Sequence, residues 1–294
     1  MSAYGTIAAP SSRSEQPLKA LSYVIQNKPE NSILIMHLTK ETAPNDLVGL
    51  LHKEFGEELE RGQTYPPRSG EMSAYGTIAT PSGCSGQPLK ALSYVIQNKP
   101  ENSILIMHLT KETAPNDLVG LLHKEFGEEL ERGQTYPQEG PMDRAAFEAY
   151  FFAADAFVGV IIPSEETVAL QNENIERVRA GRGWDESIVG SYYVKPNYPG
   201  RSSHICNAGF VVRTRFRRLG LGKLLGESYV RNAPQLGYKA SVFNLVYANN
   251  VASLAIWDRL GFTRAGLIPK AGRLKTENGE EYFDAVLVYK SFED

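Results

Sequence analysis

The residues best suited to chemistry lie between Arg217 and Lys223, in the run Arg217-Arg218-Leu219-Gly220-Leu221-Gly222-Lys223. Gly220 and Gly222 remove side chains from a turn, so successive backbone N–H groups can close on phosphate oxygens. The helix expected after them carries Leu221, Leu224, Leu225 and Tyr229 on its buried side, and its N-terminal dipole favours negative charge. Arg213, Arg215, Arg217 and Arg218 form a basic patch beside the turn. Two glycines before a helix also suit a tight turn packed on a sheet, so the loop alone does not decide. A second segment adds weight. Asn250 suits the N-cap of a helix with Leu254, Trp257 and Leu260 at core spacing, and Gly261 suits its left-handed end.

These groups need a scaffold. From Asn207 to Phe262 the order reads strand, glycine-rich turn, helix, strand, helix. His204–Arg213 and Ala240–Tyr247 are the strands, followed by one around Gly266-Leu267-Ile268 and another over Tyr282–Tyr289, with Gly279-Glu280 suited to a hairpin turn. Upstream, Met142–Phe157 reads as a helix and Val158–Ile162 as a buried strand. Glu165–Asp185 reads as a polar loop with a helical turn, and Ser187–Val194 as a strand. Many strands with few helices between them predict a mixed α/β sheet rather than a doubly wound parallel one.

The N-terminal half is a near-verbatim duplication. Met1–Pro66 recurs as Met72–Pro137 at an offset of 71 residues, differing only at Ala9/Thr80, Ser12/Gly83, Arg13/Cys84 and Glu15/Gly86. Two copies at that spacing do not make a solenoid. They mark a recent tandem duplication or a misassembled gene. Each copy holds an apolar strand, Ser103–Met107 in the second, and then a helix starting at an Asn116-Asp117 cap with Leu118, Leu121, Leu122 and Phe126 on one face. Both copies cannot occupy one place in one fold. The expectation is that residues 72–294 form the domain, with 72–137 integral to it, and that residues 1–71 are redundant or loosely packed, or swap with a neighbour. His37, His52, His108 and His123 lack metal-ligand company and read as surface or packing residues, so no metal is expected.

With 294 residues, 42% apolar and a formal charge of −3, the chain offers no sign of a nucleic-acid or membrane-surface binder. Two cysteines, Cys84 and Cys206, make no disulfide framework and favour a reducing compartment. The expected location is cytoplasmic. The Ser- and Ala-rich first twenty residues also suit an organelle presequence, which would give a mitochondrial pool.

Arg217-x-x-Gly220-x-Gly222, followed about 28 residues later by Asn250-x-x-Ser253-x-x-x-Trp257-x-x-x-Gly261-Phe262, resembles the paired cofactor motifs of the GNAT acetyltransferase superfamily. Within it, Tyr192–Tyr198, Ser203-His204-x-Cys206-Asn207-Ala208-Gly209-Phe210, Gly237-Tyr238-Lys239, Phe243–Val246 and Gly266–Gly272 are similar to the fungal N-acetyltransferases that detoxify the proline analogue L-azetidine-2-carboxylate. The likeness covers roughly Phe126 to Tyr289. It implies a mostly antiparallel central sheet with splayed middle strands flanked by helices, acetyl-CoA as cosubstrate, no metal, and a homodimer. It further implies that acetyl-CoA lies along Phe210, Val211, Val212 and Arg213. The phosphates would meet Arg217, Arg218, Leu219, Gly220, Leu221, Gly222 and Lys223, with Asn250, Ser253 and Trp257 nearby. Asn207 and Asn244 would hold a small imino acid. Many superfamily members carry a tyrosine where this chain has Trp257, and an indole cannot protonate a departing thiolate. His204 and Tyr247 are the alternatives for that proton. A covalent role for Cys206 is disfavoured, because a strand cysteine is more often a small apolar filler. Two rival readings stay open: an acetyltransferase for a polyamine, amino acid or protein, and a silent acetyl-CoA-binding module.

Overall fold

The computed structural model describes the backbone of residues 21–25, 28–35 and 43–60, and residues 88–293. Its contacts divide the chain into one unit within Thr6–Gly70 and another within Glu71–Asp294.

The first unit contains β1 (Leu21–Ile25) and β2 (Lys28–Ile35), paired antiparallel, and helix α1 (Asn45–Glu60). The second opens with the same pieces in the same register. Leu92 of β3 (Leu92–Ile96) faces Ile106 of β4 (Lys99–Leu109), as Leu21 faces Ile35, and α2 (Asn116–Arg132) follows. The repeat thus folds locally the same way twice, as near-identical sequence requires. Helix α2 is not capped as the sequence suggested: Pro115 stands at the N-cap and no side chain caps the helix.

The remainder comprises α3 (Arg144–Phe151), β5 (Asp155–Pro163), three short helices α4 (Thr167–Leu170), α5 (Ile175–Arg179) and α6 (Trp184–Ser187), then β6 (Ile188–Pro196) and β7 (Ile205–Val212). Helix α7 (Leu221–Gln235), β8 (Ala240–Tyr247), α8 (Val251–Arg259), β9 (Thr263–Thr276) and β10 (Gly279–Ser291) complete it. The sheet has eight strands in the order β3-β4-β5-β6-β7-β8-β10-β9. Every neighbouring pair is antiparallel except β7 and β8. This is the mixed, mostly antiparallel sheet expected. The central strand β6 is buried along its whole length because both faces are covered. On one face Leu118, Leu122 and Phe126 of α2 pack with Phe147 and Phe151 of α3; on the other, Leu221, Leu225 and Tyr229 of α7 pack with Trp257 of α8. None of the described helices is long and apolar enough to cross a membrane.

Two expectations change. The helix read over 142–157 is only Arg144–Phe151, started by Asp143 accepting from the Ala146 N–H, and the chain is already strand by Asp155. Ala156 and Phe157 bury on opposite faces of the sheet, and an apolar run buried on both sides carries no periodicity to separate helix from strand. The polar stretch 165–185 holds three short helices rather than one turn. Asn174 caps α5 by accepting from the Arg177 N–H.

Candidate active site

The site exists because β7 and β8 part. They pair only at Ile205↔Ala240 and Cys206↔Ser241. Beyond that point a cavity of about 810 Å3 opens between them. Residues 207–212 and 243–247 line it, with the loop before α7 and the first turns of α8. Of the residues singled out by sequence, Asn207, Phe210, Val211, Val212, Arg217, Arg218, Gly220, Leu221, Gly222, Lys223, Asn244, Asn250, Ser253 and Trp257 all line this cavity. Arg213 and Leu219 do not. The Arg213 side chain is buried and turned onto Glu125 (2.8 Å) and the Ile188 carbonyl (2.9 Å), so it ties α2 to the sheet.

At the wide end, Gly220 is the N-cap of α7 with φ +75°, and no side chain caps the helix. The orphan N–H groups of the first turn are left for a ligand. A Cβ at Gly220 would have φ strain but open space, whereas one at Gly222 would stand 3.3 Å from Ile256 Cδ1. Arg218 also takes a left-handed conformation, φ +66°. The half-exposed Arg217 donates to buried Glu129 at 3.0 Å, and Glu129 also accepts from Arg132 and from Thr135. Helix α2 therefore supplies the carboxylate that orients the basic wall. This cradle fits a pyrophosphate.

At the narrow end, the two asparagines named from sequence meet through a third, Asn197, at the end of β6. Asn207 Nδ2 donates to Asn197 Oδ1 at 3.0 Å, and Asn244 Nδ2 donates to the same oxygen at 2.9 Å. Asn197 Nδ2 returns a bond to Asn244 Oδ1 at 3.2 Å, which also accepts from the Tyr198 hydroxyl. The Asn197 N–H is fixed by the Ile205 carbonyl at 2.8 Å. Side-chain amides with two donors and one acceptor each make such a cluster self-consistent only when oriented together. The sequence contains Asn197 within the Lys195-Pro196-Asn197-Tyr198 stretch, but its spacing from Asn207 does not reveal that β6 ends beside both partners.

Tyrosines that sequence reasoning passed over complete the walls. The partly buried Tyr136 donates to the Phe210 carbonyl at 3.2 Å, and the hydroxyls of Tyr150 and Tyr193 are 2.6 Å apart. Lys195, buried, sets its ammonium 3.4 Å above the Tyr150 ring and donates to the Tyr150 carbonyl. Burial holds the pKa of that amine well below the ordinary lysine value.

Of the groups considered for proton transfer, Tyr247 lines the cavity, and burial raises its pKa. His204 is exposed and lies outside the cavity lining. Cys206 is buried against the Tyr229 hydroxyl at 3.0 Å, outside the lining, and burial pushes its thiol up to about 12. It is a packing residue, not a nucleophile. The indole N–H of Trp257 donates to Ser253 Oγ at 2.9 Å, and Asn250 caps α8 by accepting from the Ser253 N–H. His108 accepts from the Leu89 N–H at Nδ1 and so donates from Nε2 to Asp155 at 2.8 Å; His123 meets the Met142 carbonyl. His37 and the His52 side chain lie outside the described residues. Among the described residues no group of His, Cys, Asp and Glu could hold a metal ion.

Residues 136–262 match the model of the acetyltransferase (GNAT) family. The chain is 44% identical over 164 residues to the N-acetyltransferase aca1 of Schizosaccharomyces pombe, covering 56% of this chain and 75% of that protein. The chain belongs to the GNAT acetyltransferase family. It is an acyltransferase with acetyl-CoA as its cosubstrate. The chain is also 29% identical over 188 residues to the protein SPT10 of Saccharomyces cerevisiae, covering 55% of this chain but only 29% of that protein. A GCN5-related N-acetyltransferase structure from Kribbella flavida aligns with a TM-score of 0.48 at 22% identity, covering 63% of this chain and 97% of that one. In this acetyltransferase the glycine cradle, the splayed strands and two members of the asparagine cluster, Asn207 and Asn244, share a single cavity.

Proposed function

We propose that the enzyme moves the acetyl group of acetyl-CoA to the secondary amine of a small proline-like imino acid, such as L-azetidine-2-carboxylate or a 4-hydroxyproline, by direct attack in a ternary complex. The observation that carries this reading is the Asn197–Asn207–Asn244 cluster at the point where β7 and β8 part. A compact acceptor with a carboxylate and a ring nitrogen needs fixed amide donors and acceptors rather than a long acidic groove. The likeness to the azetidine-type enzymes lies on the same residues.

Acetyl-CoA supplies a thioester carbonyl as electrophile. The chain's own residues do the rest. Arg217, Lys223 and the first turn of α7 hold the phosphate end. Beyond Cys206, β7 has no pairing with β8, so its backbone on that side is open to the cofactor's amide arm. The asparagine cluster fixes the acceptor so that its neutral nitrogen attacks the carbonyl carbon and the C–S bond breaks. The nitrogen gives its proton to water. Tyr247, kept protonated by burial, lines the same space and serves as the acid for the departing thiolate.

Two experiments test this. Thiol release is followed with acetyl-CoA and L-azetidine-2-carboxylate, against a polyamine and ordinary amino acids. Turnover with imino acids is the expected result; turnover with a polyamine alone would move the enzyme to the second reading. Asn207→Ala is expected to lower turnover at least tenfold while acetyl-CoA binding is kept, and an equal loss of both would make Asn207 structural.

A further inference from the structure

The site that the second repeat fills is defined by sequence that the first repeat also carries. In the domain, β4 pairs with β5 from Asn102↔Pro163 to Leu109↔Ala156. Phe126 of α2 packs its ring 5.7 Å from Phe147, 5.7 Å from Tyr150 and 6.2 Å from Phe151. Val119 and Leu122 beside it are 6% and 3% exposed. The matching residues of α1, Val48 and Leu51, are 49% and 56% exposed. The four differences between the copies all precede residue 87, outside these contacts. The same face is thus covered in one copy and uncovered in the other.

We infer that β1, β2 and α1 exchange with β3, β4 and α2 for the place against β5 and α3 within the same chain. Through Pro66 and Pro137 the contacts made in the two arrangements are the same residue for residue, and the exposed Arg273–Glu139 pair beyond them adds little, so the equilibrium is set mainly by chain closure. The helix in the site connects to α3 through about 11 residues in the arrangement described and through about 82 in the exchanged one, and closure probability falls as the three-halves power of that length. The ratio is about twentyfold, so roughly 5% of chains hold the first copy in the site. A defect confined to the second copy that weakens its packing by more than about twentyfold reverses the preference.

A cysteine pair reads the exchange. Ser103 Oγ lies 2.8 Å from Ser164 Oγ, and the residue matching Ser103 in the first copy is Ser32. In the full chain on a Cys84→Ser background, a mild oxidant such as copper phenanthroline is added to Ser103→Cys/Ser164→Cys and to Ser32→Cys/Ser164→Cys. The first pair is expected to cross-link rapidly. The second is expected to cross-link within the monomer at about one-twentieth of that rate, rising to near parity when Phe126→Asp is added. Absence of the Ser32–Ser164 link in the Phe126→Asp chain would overturn the inference, and a link found only between molecules would replace it by exchange in trans. Thermal unfolding gives a separate check. Phe55→Asp and Phe126→Asp should each leave a cooperative transition and the double variant should lose it, whereas loss with Phe126→Asp alone would contradict the exchange.

Discussion

Asn197 shows how one residue can hold two others in place. It accepts from Asn207 and Asn244, the asparagines proposed to hold the acceptor, and returns a bond to Asn244. Removing these three hydrogen bonds, each worth ~0.5–1 kcal/mol, should lower kcat/KM for the acceptor between about ten- and a hundredfold. Asn197→Ala is therefore expected to show that loss in steady-state kinetics while calorimetry finds acetyl-CoA affinity unchanged. Asn207 and Asn244 were legible through resemblance; Asn197 was not assigned a role, because its position depends on where β6 ends against two other strands. The same holds for Tyr247 and His204, which neighbour the motifs equally well in sequence and which only the fold separates. Buried acids set a second expectation. Burial raises the Cys206 thiol from 9.0 to about 12, and it raises Tyr192 and Tyr229 as well. A group whose neutral form is favoured by folding stabilises fully below its unfolded pKa and loses that contribution as pH climbs toward its folded value. The melting temperature should thus hold to about pH 9 and fall by several degrees toward about pH 11, measured by circular dichroism. Cys206→Ala should flatten the first part of that fall.

Among elements, the close approach of β6 to β7 and the lacing of α2 to the cofactor wall matter most for the site. A Cβ at Gly190 would stand 2.7 Å from the Val211 carbonyl oxygen and 3.0 Å from Leu225 Cδ1, so backbone as well as side chain would have to move. Gly190→Ala should cost ~1–3 kcal/mol in chemical denaturation and weaken acetyl-CoA binding, because Val211 and Val212 line the cavity. The Glu125–Arg213 pair, both partners mostly buried, joins α2 to the end of β7. Glu125→Gln leaves Arg213 without its counter-charge and should destabilise by about 3 kcal/mol. These couplings explain which elements could be read in advance. The strands at 205–212 and 240–247 and helices α7 and α8 have strong periodicity and clear ends, so they matched closely. The stretch 155–163 is buried on both faces of the sheet, so where α3 gives way to β5 follows from packing. Arg213 was expected along the cofactor because it ends the β7 strand and sits in a basic run, yet its own guanidinium is spent on α2.

For the molecule as a whole, the splayed sheet makes one continuous space from the α7 N-terminus to the asparagine cluster, and the duplicated segment gives that space part of its wall through Glu129, Arg132 and Tyr136. The repeat itself was plain in the sequence; which copy would build the wall was expected from its direct connection to α3. Deleting residues 1–71 removes the competitor and leaves the wall intact, so the truncated protein should keep both its melting temperature, within about 2 °C, and its turnover; loss of either would mean that the first copy supports the domain. The most direct measurement is the rate of free thiol release from acetyl-CoA by the purified chain with L-azetidine-2-carboxylate, with the N-acetylated product identified by mass. Saturable, stoichiometric thiol and product formation is the predicted result. Tight acetyl-CoA binding with no thiol release from any imino acid would contradict it.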